Sequence, residues 1–319
     1  NRLREKLGEE QHEQQLVKAA TLNMEAYETY LQGLYYFNQW GDEAMGKAIP
    51  FFEKAIEMQD DFGLPHARIG LCYFYQAFGG KISWELARSK AMVHFDRTRQ
   101  LGTETPEAYF ALFIFHTFHQ WNWAAAVEVI KKGLELFPNY PGLHHALSTL
   151  YYIKGDNKDK FESHKKGLEL DPLSIQMIFF MAVAYIWNLE FELARPYLNK
   201  VLDMVPNHRA AFEYKGWIEA FQGKYEDALI IFEKLEPAIG YRLHRSTCLG
   251  WIYFKQGKKE KAEGYLQELI KLENEQNISF SFDLATLYTS FGDYDKAFHY
   301  LEKAIKNKVG DSMMCRSDP

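Results

Sequence analysis

"KKGLELFP" fills positions 131–138 and "KKGLELDP" fills 165–172, so the chain writes nearly the same octamer twice, 34 residues apart. The proline closing each copy sets a beat. Pro138, Pro172 and Pro206 follow at steps of 34, and further steps fall on Gly240 and Asn274. These are residue types that stop helices or form turns, so the beat marks the ends of units. A fixed period of this length implies a fold that grows by adding units instead of enlarging one core.

Reading back from each stop gives the shape of a unit. Twelve residues earlier stand Ala126, Lys160, Ala194, Ala228 and Ala262, mostly small; eight earlier stand Ile130, His164, Leu198, Phe232 and Leu266, mostly large and apolar. Twenty-four earlier come Ser148, Ala182, Gly216 and Gly250, small again. Small residues let two antiparallel helices approach, and large ones fill the space between them. Between the two halves lie "KGDNKD" (154–159), "QGKYED" (222–227), "QGKKEK" (256–261) and "FGDYDK" (291–296), each with a glycine suited to a helix C-terminus. Only "WNLEFE" (187–192) lacks it. The pattern predicts helix, short turn, helix, eight times: 25–61, 64–103, 105–138, 139–172, 173–206, 207–240, 241–274 and 277–310. The first two interhelix turns are longer, the second through "AFGGKISWEL" (77–86). The first helix of the third unit, "EAYFALFIFHTFHQ" (107–120), has an ambiguous register and no glycine.

Composition bounds the function. The 319 residues are 47% hydrophobic and 25% charged, the balance of a folded chain. Net charge is -6, from 37 Lys and Arg against 43 Asp and Glu, with no basic block, so these residues carry no nucleic-acid footprint. No apolar run of membrane-spanning length and no leader stand out, and the expected location is cytoplasmic. Cys72, Cys248 and Cys315 share no ligand spacing and read as reduced thiols. The chain opens without Met and stops at "CRSDP", which reads as a piece cut from a longer protein.

A search for chemistry returns no phosphate loop, no GxSxG and no HExxH. His116 and His119 lie three apart beside Trp121 and Trp123, but no carboxylate or cysteine joins them at ligand spacing. Adjacent His144 and His145 point about 100° apart on a helix. The carboxylates recur once per unit at turns and helix ends, as caps do. No catalytic residue, metal or cofactor is expected.

The small, aromatic, Ala, Phe-like, Ala, Pro order resembles the tetratricopeptide repeat family, most clearly in "RSTCLGWIYFKQGKKEKAEGYLQELIKLEN" (245–274). The resemblance implies an all-α fold, a right-handed α-solenoid of about eight helix-turn-helix units over residues 23–311, with the first helix of each unit lining the concave face. Counting along those helices gives partner-groove candidates Tyr30, Phe37, Phe74, His145, Tyr152, Phe179, Glu213, Trp217, Trp251 and Phe254. Each ring also fits simple packing between repeats; as a set they form an apolar, aromatic face suited to an extended peptide or an amphipathic helix. The charged clamp with which some co-chaperones of this family hold acidic tails needs Lys, Asn and Arg where this chain has Thr, Trp, Glu and Phe.

A finer resemblance lies in "HQWNWAAAVEVIKKGLELFPNYPGLHHALSTLYYIKGDNKDKFESHKKGLELDPLS" (119–174) and "NMEAYETYLQGLYYFNQW" (23–40). These are similar to the C-terminal repeats of bacterial multidomain regulators, which join them to a DNA-binding domain or, in some members, to a cyclase or kinase, often through a TolB-like segment. Residues 1–22 would then be a linking segment and 312–319 a truncated cap. The resemblance implies a non-catalytic sensory or regulatory module that binds a protein or peptide, with a homodimer as one option. The alternatives are an accessory domain of a signalling enzyme or a free-standing scaffold.

Overall fold

A computed structural model of the chain describes residues 23–308 apart from 40, 79–80, 103, 236–240 and 277–278. The leading segment 1–22, the tail 312–319 with Cys315, and the stop at Gly240 lie outside the described residues.

Unit one pairs α1 (Met24–Asn38) with α2 (Asp42–Met58), unit two α3 (Gly63–Phe78) with α4 (Trp84–Gln100), and unit three α5 (Pro106–Ile114) with α6 (Trp123–Leu136). Unit four pairs α7 (Pro141–Lys154) with α8 (Asn157–Leu170), and unit five α9 (Ile175–Trp187) with α10 (Phe191–Met204). Unit six pairs α11 (Arg209–Phe221) with α12 (Tyr225–Lys234), unit seven α13 (Tyr241–Lys255) with α14 (Lys259–Gln276), and unit eight α15 (Ser281–Phe291) with α16 (Tyr294–Lys306). No strand occurs among the described residues. The eight expected units are eight helix pairs. One stop is misplaced: α14 runs through Asn274 to Gln276, because asparagine, unlike proline, leaves the helical hydrogen bonds intact.

Local chemistry explains the boundaries. Asn23, Ser83, Thr105, Asn122, Asp156, Ser174 and Asp293 each accept a backbone N–H of the helix they open. Gly155, Gly223, Gly257 and Gly292 take left-handed φ of 78°, 77°, 75° and 79° at the interhelix turns. Leu189 adopts the same conformation, φ 62°, in the turn without a glycine. Within the pairs, a Cβ on Gly33, Gly70 or Gly216 would collide with the ring of Phe52, Phe95 or Phe232 from the second helix. The small column exists to admit the large one.

Two units depart from the rule. In unit three, α5 runs on into a π-helical turn, Phe115–Gln120, that ends on Trp121 at φ 57°. A π turn takes up an extra residue, which is why the register of 107–120 is ambiguous in sequence. In unit four the columns hold Ser148, Lys160 and His164, all buried, and the Ser148 hydroxyl donates to the Lys160 carbonyl at 2.9 Å.

First helices touch first helices along two runs, α3, α5, α7 and α9, α11, α13, α15, while second helices make no comparable contacts with one another among the described residues. Elements on the inside of a curve lie closest, so the first helices form the concave face of an α-solenoid. The core is divided: one block reaches from Ala26 to Leu150, and a separate one begins at Ile178. The division falls at unit four. Winding is tight enough for the Gln176 amide to donate to the Tyr75 hydroxyl at 2.6 Å, bridging units two and five.

Candidate binding groove

The concave face has two characters. In units one to three its groups are occupied with one another. Arg68 on α3 lies 4.7 Å over the ring of Phe37 and pairs with Glu107 on α5 at 3.2 Å. Burial disfavours the charged guanidinium; the oxygens of Tyr30, Tyr140 and Glu107 more than offset it and hold Arg68 charged. Burial in turn pushes the Tyr30 and Tyr140 phenols up. Tyr30, Phe37 and Phe74 are buried, with Phe74 set edge-on to Trp84. This end is packed shut.

Unit four is polar inside. His145 stacks on Phe180 at 4.2 Å and meets His164 edge-on at 5.3 Å. The His164 ring faces the Met177 carbonyl at 3.1 Å. Burial holds His145 well below the ordinary imidazole range, and pulls His164 and His208 down to about 4. Tyr152 is buried against Trp187, the rings stacked at 4.3 Å, and Phe179 is buried beside Tyr214.

Units five to eight differ. A ladder of rings crosses them near the interhelix turns: Phe191 on Phe221 at 5.9 Å, Phe221 on Trp217 at 5.3 Å, Phe221 on Trp251 at 5.6 Å, and Phe254 on Phe291 at 4.7 Å. Trp217, Trp251 and Phe254 keep part of their surface, and Phe221 is exposed. Glu213, on the same helix as Trp217, is buried. Of the ten residues counted from the sequence, these three aromatics and His145 are only partly buried, while Tyr30, Phe37, Phe74, Tyr152, Phe179 and Glu213 are buried.

Sequence counting missed Phe221, Phe291 and Arg68. The first two stand one or two residues before the turn glycines Gly223 and Gly292, beyond the positions that were counted; aromatic residues close before a turn were the available signal. His116, its Nδ1 2.7 Å from the Gln120 side-chain oxygen, and His119, stacked on Phe115, contribute to no metal cluster among the described residues. Cys72 and Cys248 are buried free thiols, and burial pushes both up. No helix among the described residues is long and apolar enough to cross a membrane.

Known proteins resemble this chain in sequence and in fold. The transcriptional regulator HilA of Salmonella typhimurium is 23% identical over 210 residues, which is 65% of this chain and 31% of that protein; HilA of Salmonella typhi matches to the same extent. The chain thus spans about a third of the length of these curated relatives. Among solved structures, human IFIT1, as a dimer with m7Gppp-AAAA, shares the fold at TM-score 0.64 and 14% identity, covering 88% of this chain and 72% of that one. The tetratricopeptide repeat model matches residues 182–241 and 249–311. The helix pairs before them repeat the same architecture, so the chain is an α-solenoid whose C-terminal units match the tetratricopeptide repeat.

Proposed function

We propose that this array is the non-catalytic sensory or regulatory part of a larger bacterial regulator of transcription, and that it holds a protein or peptide on the concave face of units six to eight. The carrying observation is the partly exposed ladder of Trp217, Phe221, Trp251 and Phe254, at the end of a groove whose opposite end is filled by its own side chains. Large rings held by their neighbours lose little entropy on contact and suit an apolar peptide face. The regulatory role draws its support from the likeness to HilA.

The test is selection of binding peptides from a displayed library on the wild-type array, followed by affinity and melting measurements on Trp217→Ala and Trp251→Ala. At least ~10-fold weaker binding with a small change in melting is expected. Unchanged affinity with lost stability would assign the tryptophans to packing and overturn the groove assignment.

A further inference from the structure

The last unit of the array folds back onto units two and three. The Arg88 guanidinium on α4 donates to the carbonyls of Asn307 and Lys308, at 3.1 and 3.0 Å, just past the end of α16. The Lys308 ammonium donates to the carbonyls of His119 and Gln120, at 3.5 and 3.2 Å, at the end of the π turn. Ala304 joins the N-terminal core block, and Phe282 packs against it.

Along this seam lies a cavity of about 1,020 Å³ lined by units two and three on one side and units seven and eight on the other. Its wall carries Arg88, Lys303, Lys306 and Lys308 against Glu85 and Glu273. Glu273 is engaged with Lys303 at 2.9 Å. Arg88 and Lys308 bond neutral carbonyls, and no ion pair to Lys306 occurs among the described residues. Closure therefore gathers cations with too few carboxylates, in a chain whose net charge is -6. Besides its burial, the charges of Arg88 and Lys308 hold His119 below the ordinary imidazole range, which registers the local positive field. Like charges brought together in a partly enclosed space repel, and a multivalent anion relieves them.

We propose that the seam cavity binds a phosphate-bearing small molecule, gripped by Arg88 from unit two and by Lys306 and Lys308 from unit eight. Arginine forks and lysine point charges are the side chains that recognise phosphate oxygens. The volume is that of a small-molecule site and accommodates more than the phosphate alone. This site is separate from the aromatic groove and would give the array a second input.

Inorganic pyrophosphate is the probe, titrated calorimetrically at fixed low salt into the full chain and two variants. Lys306→Gln removes an exposed charge that supports no described contact, and Lys165→Gln removes one from the outer helix α8. Saturable one-to-one binding is expected, weakened at least ~10-fold in Lys306→Gln and unchanged in Lys165→Gln. NMR titration of His119 gives a readout that depends on no variant: its pKa should rise when pyrophosphate neutralises the charges that depress it. Absence of saturable binding, equal losses in both variants, or an unmoved His119 would overturn the proposal.

Discussion

Leu189 shows how a single residue carries the cost of a pattern break. It holds the left-handed backbone that four other interhelix turns give to glycine, and it is 55% exposed. A Cβ in that region costs roughly 1–2 kcal/mol, and so exposed a leucine recovers little by burial. Leu189→Gly is therefore expected to stabilise the array by about 1 kcal/mol, after glycine's added unfolded-state entropy is set against the relieved strain. A urea midpoint that stays the same or falls would contradict this. The turn itself was legible in "WNLEFE"; the conformation of its leucine follows from the neighbouring units, where glycine occupies the corresponding place.

Among the elements, α7 and α8 stand apart because their pair is closed around polar groups. His145 and His164, with His208 in unit six, are held neutral by burial, with His164 and His208 at about 4. In the unfolded chain each titrates near ~6.5, so between ~6.5 and ~4 the unfolded state binds more protons. Stability from these groups is complete above about pH 6.5 and is lost as pH falls toward 4, at about 1.4 kcal/mol per pH unit for each histidine inside that window. Urea melts at about pH 7 and about pH 5 should show the loss, and His164→Leu should reduce it; a pH-independent midpoint would refute the assignment. Sequence made this unit visible, since Lys160 and His164 interrupt columns of alanine and large apolar residues. It could not show that both would remain buried, because that depends on Ser148, Met177 and Phe180 supplying partners from other helices. The π turn of unit three was likewise visible only as a lost register.

At the scale of the whole molecule, the period foretold the eight pairs and the stacking of first helices, but not how tightly they wind. Curvature is the sum of small rotations between units, and no single residue encodes it. The bonds of Arg88 and Lys308 across the seam join residues 188 to 220 positions apart. Arg88→Ala with Lys308→Ala should loosen the closure and increase the radius of gyration in solution scattering while leaving helix content unchanged. An unaltered radius would mean that the apolar contacts of Ala304 and Phe282 close the array without those bonds.

That closure also has an order in time. Repeats emerging from the ribosome can fold one after another on their predecessors. The edge formed by Arg88, His119 and Gln120, however, must wait for Lys308, many repeats later, to be synthesised. During synthesis that edge is a surface on which a chaperone, or a neighbouring nascent chain, competes with the protein's own eighth unit.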